Sequence, residues 1–112
     1  MSRVPLERLA HGRSGDKGDA SNIGLIARDA TAYRWLRENL TPERVKQLLP
    51  GIAQGKVERY EVPNLLALNF ILHSSLGGGG TASLLTDAQG KTHAQALLRC
   101  LVDVPDELLA QL

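Results

Sequence analysis

Three observations predict an α+β sandwich with an antiparallel sheet of four to five strands and two main helices on one face. Apolar residues alternate with period two in Ser21 to Arg28 and in Leu66 to His73, the spacing of strands. They recur at helical spacing in Ala30 to Leu40, and again after Thr41-Pro42-Glu43. The segments follow one another as strand, helix, strand, strand, helix, strand, with a further short strand at the N-terminus. At 112 residues the chain is read as one domain, 1–112, with a single core.

Leu6 to Ala10 reads as the short first strand, with Pro5 suited to its start or to a sheet edge. The charged, glycine-rich stretch that follows reads as a loop leading to Ser21–Arg28. In that strand Ile23, Leu25 and Ala27 share one face while Gly24 and Ile26 share the other, so both faces are expected to be covered. Tyr33, Leu36 and Leu40 form the apolar side of the first helix. Thr41 is placed to cap the next helix, Pro42 suits its first turn, and Pro50-Gly51 stops it. Lys56 to Val62 reads as a strand with Glu58, Tyr60 and Val62 on one face and Val57, Arg59 and Glu61 on the other. Pro63-Asn64 marks a bend before Leu66–His73. Gly77 to Gly80 read as a turn, Thr81 to Ala96 as mostly helical, Leu97 to Val104 as the last strand, and Pro105-Asp106-Glu107 as the start of a terminal helix. Two split βαβ units in this order make the ferredoxin-like arrangement, a scaffold that by itself implies no function.

Composition removes several functional classes. With 13 basic and 12 acidic residues the net charge is +1, which provides no field for nucleic acid or membrane surfaces. Tyr33, Trp35, Tyr60 and Phe70 are too few and too scattered for a base-stacking platform. The single Cys100 cannot form an intrachain disulfide and suits a reducing compartment; among Leu98, Leu101 and Val102 it reads as a small apolar residue. Without a spanning apolar stretch or a leader-like N-terminus, the chain is expected in the cytoplasm.

The chemistry concentrates in His11-Gly12-Arg13-Ser14-Gly15-Asp16-Lys17-Gly18-Asp19 and the following Ala20-Ser21-Asn22. Arg13, Ser14, Asp16, Lys17, Asp19 and Asn22 bring both charge signs and several hydrogen-bonding groups to one short stretch. Two readings stay open: a solvated loop whose charges pair internally, and a binding loop. In the binding reading Arg13 holds a carboxylate or phosphate by its planar fork and Lys17 acts as a point charge. Asp16, Asp19 and Asn22 offer oxygens to a hard cation, but the neighbouring cations compete for them, and no metal or other cofactor is expected. Arg59, Glu61, Asn64, Asn69 and His73 raise the same choice. Asn69 and His73 fall on one strand face, where a structural role competes with a ligand role for each. Asp16 and His73 are the candidates for acid–base work. No serine stands in a nucleophile-elbow context, and the glycine run lacks the lysine and spacing of a phosphate loop.

The stretch Arg13-Ser14-Gly15-Asp16-Lys17-Gly18-Asp19-Ala20-Ser21-Asn22-Ile23-Gly24 resembles a signature of the small C-terminal domain of acyclic terpene utilisation (AtuA) proteins. Arg59-Tyr60-Glu61-Val62-Pro63-Asn64-Leu65 with Ala67-Leu68-Asn69-Phe70-Ile71-Leu72-His73 resembles its second signature. Leu76-Gly77-Gly78-Gly79, Ser83-Leu84 and Asp87-Ala88-Gln89-Gly90-Lys91 continue the likeness in the same order, from about Leu9 to Val104. The resemblance implies a stand-alone ferredoxin-like domain without the large N-terminal region of the longer relatives. It implies an accessory or assembly domain linked to catabolism of branched, terpene-derived acyl-CoA compounds and non-catalytic alone. Expected partners are other copies of the chain, as a dimer or higher homo-oligomer, and a larger protein carrying the AtuA-like N-terminal region. The alternative is a subunit or enzyme that binds a small carboxylate or acyl-CoA through the Arg13–Asp19 loop.

Overall fold

The computed structural model describes residues 1–17, 20–50, 53, 55–73 and 93–112, and at residues 16 and 17 the backbone alone. In chain order the elements are β1 (Ser2–Pro5), a 3-10 turn (Leu6–Arg8), β2 (Ala10–Lys17), β3 (Ala20–Ala27), α1 (Ala30–Asn39) and α2 (Pro42–Leu48). They continue as β4 (Val57–Val62), a second 3-10 turn (Pro63–Leu65), β5 (Ala67–Leu72), α3 (93–99), β6 (Leu101–Val104) and α4 (Asp106–Ala110). The α+β architecture is as expected. Four strands form an antiparallel sheet in the order β2-β3-β5-β4, and β1 pairs antiparallel with β6 as a separate ribbon.

The charged stretch is strand rather than loop up to Lys17. Lys17 pairs with Ala20 and the register continues to Ala10 opposite Ala27, which leaves two residues to connect β2 and β3. Glycines and charges argue against a strand by propensity, but the adjacent β3 supplies a hydrogen-bonding partner along the whole length. This hairpin occupies the sheet edge beside β3, so the last strand cannot also lie there, and β6 pairs with β1 instead.

Three boundaries also differ from expectation. Leu6–Arg8 is a 3-10 turn, because one tight turn brings Leu6 and Leu9 to the same side, where both are fully buried. Leu97 and Leu98 belong to α3, where Ala94, Leu97 and Leu98 form a buried stripe at helical spacing. Strand alternation begins at Leu101, with Val102 and Val104 buried and Leu101 and Asp103 exposed. Leu66 adopts a left-handed conformation at φ 53°, so β5 begins at Ala67 and ends at Leu72, one residue short of His73. The glycine run and the helix expected from Thr81 lie outside the described residues as far as Thr92.

All the described packing of the sheet against helices is on one face. Ile23, Leu25, Leu68, Phe70 and Leu72 are buried there with Ala32, Leu36, Leu40, Val45, Ala94 and Leu97. Asp29 caps α1 by accepting from the Ala32 N–H at 2.7 Å. Thr41 caps α2 from the Arg44 N–H at 3.1 Å, with Pro42 in the first turn as its chemistry requires. The opposite face of β3 is not covered by the described elements: Ile26 is 51 % exposed, against the expectation that both faces would be buried.

Candidate functional site: the open sheet face

The strand register sorts the polar residues. Directly paired residues of antiparallel strands point to the same face. Arg13, Gly24, Asn69 and Tyr60 therefore form one row across the open face. His11, Ile26, Ala67 and Val62 form the next row toward one sheet end, and Gly15, Asn22, Ile71 and Glu58 the row on the other side. Tyr60 is 52 % exposed, so the face combines half-exposed apolar groups with fixed polar ones.

A hollow of about 580 Å³ lies over Gly24. His11 and Arg13 border it on β2, Ile26 on β3, and Ala67 and Asn69 on β5. Asn69 is held by Asn22, whose Nδ2 donates to the Asn69 Oδ1 at 3.2 Å. Arg28 donates to the His11 Nε2 at 3.2 Å and also to the Glu7 carbonyl, which fixes its guanidinium. Because an arginine only donates, His11 accepts at Nε2 and carries its proton on Nδ1.

A second polar group surrounds Glu58. The Tyr60 hydroxyl donates to one carboxylate oxygen at 2.7 Å, while Lys56 Nζ and His73 Nε2 lie 3.3 and 3.6 Å from the other. The Tyr60 hydrogen bond first, and the Lys56 ammonium second, hold the Glu58 carboxyl below its ordinary range. The same bond raises the Tyr60 phenol. The carboxylate thus fixes the Tyr60 hydroxyl by a hydrogen bond, while the His73 Nε2, 3.6 Å away, has no hydrogen-bond partner among the described residues.

The structure brings Arg13, Asn22 and Asn69 to the open face, with His73 beside Glu58 at one margin. Asp16 pairs with Ser21 in the backbone, and Ser21 with Leu72, so Asp16 and His73 stand at the same sheet end with one strand between them. Lys17 is the last residue of β2, and Asp19 lies outside the described residues. Ser14 stands opposite Ile23 and so belongs to the helix-covered face.

Arg59 is also on the helix side, paired with Phe70. Its guanidinium donates to the carbonyls of Arg37 at 2.7 Å and Leu40 at 3.0 Å, closing the C-terminal end of α1. Asn64 is exposed in the turn between β4 and β5, beyond the Val62–Ala67 pair and away from His73. His11, Gly24, Glu58 and Tyr60 join this face although none of them is a candidate ligand from sequence. Alternation on β2, β3 and β4 puts them on faces, but which strands become neighbours is what unites them.

Cys100 is half-buried, with its sulfur 3.3 Å from the Ala96 carbonyl, and burial pushes the thiol up, which keeps it protonated and unreactive. Among the described residues no group of three or more His, Cys, Asp or Glu side chains is placed to hold a metal ion. No described helix is long and apolar enough to cross a membrane.

No curated protein matches this chain, and no solved structure does. The sequence does match the AtuA ferredoxin-like domain over residues 4–103, a span that includes the whole four-stranded sheet and both polar groups of its open face. With nearly the whole chain covered, the protein belongs to the AtuA ferredoxin-like domain family.

Proposed function

We propose that this chain is an accessory, assembly domain of an AtuA-type system acting on branched, terpene-derived acyl-CoA compounds, and that it is not catalytic alone. It associates with further copies of itself, and the assembly receives a larger AtuA-like protein. The supporting observation is the open sheet face, where Ile26 and Tyr60 remain about half exposed opposite a helix-covered core. An antiparallel sheet with apolar groups on its free face is completed by another surface. The sheet edges are poorer candidates. β2 carries His11 and Arg13, and β4 carries Glu58, Arg59 and Glu61, the charged guards that discourage edge pairing.

Sedimentation velocity from micromolar to submillimolar protein tests this reading. The wild-type chain sediments as a dimer or larger at the upper end, and Ile26→Lys shifts it toward one copy with its thermal midpoint unchanged. A wild-type chain that stays single throughout rejects self-assembly.

A second reading, a module that binds a small carboxylate or acyl-CoA, is favoured by Arg13 at the rim of the hollow over Gly24. Two facing sheets stand about 10 Å apart and fill that gap with side chains, so a column above a glycine stays open in an assembly. The two readings are therefore compatible.

A further inference from the structure

Nothing among the described residues requires Gly24 to be glycine. It sits mid-strand in β3, outside the left-handed region, and among the described residues beyond its chain neighbours a Cβ built on it would come no closer than 3.9 Å, an ordinary contact. Gly12 and Gly15 are different. A Cβ on Gly12 would meet Leu25 Cδ2 at 3.0 Å and Leu98 Cδ1 at 3.2 Å, and one on Gly15 would meet the Asn22 Oδ1 at 2.9 Å. Those two glycines make room for the protein's own atoms. A glycine inside a strand weakens it, and where the chain has space for a side chain the absence marks the close approach of something else.

The groups around Gly24 define what approaches. Arg13 is exposed and makes no hydrogen bond or ion pair among the described residues. His11 stands two residues away on the same face of β2, and its Nδ1 proton is free to be donated because Arg28 occupies Nε2. Both donors are on the β2 side of the hollow. Across Gly24 the floor turns apolar at Ile26 and Ala67, and Asn69, held by Asn22, bounds the far side. From β2 to β5 is two strand spacings, about 10 Å.

We infer that the hollow over Gly24 binds a monocarboxylate with a short apolar body. The carboxylate meets the Arg13 fork and the His11 Nδ1–H, and the body lies flat across Gly24 toward Ala67. This deepens the carboxylate reading given above and rests on it, and one chain supplies every contact.

Titration of ¹⁵N-labelled protein with benzoate and hexanoate tests the assignment, with benzamide and hexanamide as uncharged matches. Dilution to a concentration where sedimentation shows a single copy removes any effect of assembly. The carboxylates should give saturable shifts at the amides of His11, Arg13, Gly24 and Ala67, and the amides should bind at least tenfold more weakly. Arg13→Ala should lose at least tenfold in affinity for the carboxylates. Gly24→Val should abolish saturable binding while its thermal midpoint stays level or rises, a combination that a structural role for the glycine cannot produce. Carboxylate binding that survives both substitutions unchanged overturns the hollow but keeps a carboxylate site elsewhere. No saturable shift in the wild-type chain overturns both. If Gly24→Val abolishes self-association but leaves carboxylate affinity intact, the space over Gly24 belongs to a second copy and the assignment falls.

Discussion

Ser21 Oγ and His93 Nδ1 lie 2.9 Å apart inside the core, joining β3 to α3 across 72 residues of sequence. Both residues are almost completely buried, at 2 % and 1 % exposure. The contact sits at the end of the sheet where β2 and β3 carry the charged stretch from Arg13 to Lys17. Burial lowers the His93 pKa from its ordinary value of 6.5, so the ring is neutral in the folded state.

That burial makes the fold sensitive to acid. The unfolded chain protonates His93 near its ordinary pKa, whereas the folded chain resists until a lower pH. The unfolded state therefore binds more protons in that window, and the His93 contribution, complete above pH 6.5, is lost as pH falls toward the lowered folded value. Urea unfolding from pH 7.5 to 5 should show stability declining with acid. His93→Asn should be less stable by about 1–2 kcal/mol at pH 7.5, through lost packing, and should show a flatter profile. Parallel profiles for the two proteins would contradict the buried neutral ring.

Arg59 should matter to stability and not to binding. It places a cation on two carbonyls at the negative end of α1, and its side chain is 17 % exposed. Arg59→Met should lower unfolding free energy by about 1–2 kcal/mol in chemical denaturation, the size of lost charge-assisted bonds to a helix end. Carboxylate titrations of this variant should match wild type.

Gly12 faces the helices and has no space to spare. Gly12→Ala should cost about 1–2 kcal/mol, because Leu25 and Leu98 must move to admit the new methyl group. Thermal unfolding of Gly12→Ala beside Gly24→Ala measures the contrast: the first midpoint falls, while the second holds or rises as the strand gains a side chain.

Tyr33 is 6 % exposed, and its hydroxyl has no hydrogen-bond partner among the described residues. A buried hydroxyl without a partner costs free energy that phenylalanine does not. Tyr33→Phe should therefore be neutral or stabilising by about 1 kcal/mol in denaturant unfolding. A loss of more than 1 kcal/mol would show that the hydroxyl is engaged.

Much of this architecture is legible in local sequence. Thr41 with Pro42 marks the start of α2, and the alternation of Leu68, Phe70 and Leu72 marks β5, because caps and periodicity depend on neighbours in the chain. The partition of strands between sheets is not local. His11 to Lys17 lacks strand composition and becomes strand through pairing with β3, which in turn displaces β6 to β1. The site follows the same division. Arg13 stands out in a charged stretch and Asn69 as an amide among apolar strand residues, but their place on either side of Gly24 is set by the β2-β3-β5 order. Arg59 is grouped with Asn64 by sequence proximity, and it is alternation on an edge strand that turns it to the helices.

Copies of the chain are expected to meet at the open sheet face. Methyl spectra of isoleucine-labelled protein, recorded from dilute to concentrated solution, test it residue by residue. Ile26 and Ile71 lie on the open face and Ile23 in the core. Concentration-dependent shifts are expected at Ile26 and Ile71, with Ile23 unmoved. Methyl signals from Ile26 and Ile71 that stay fixed across the whole range would contradict it.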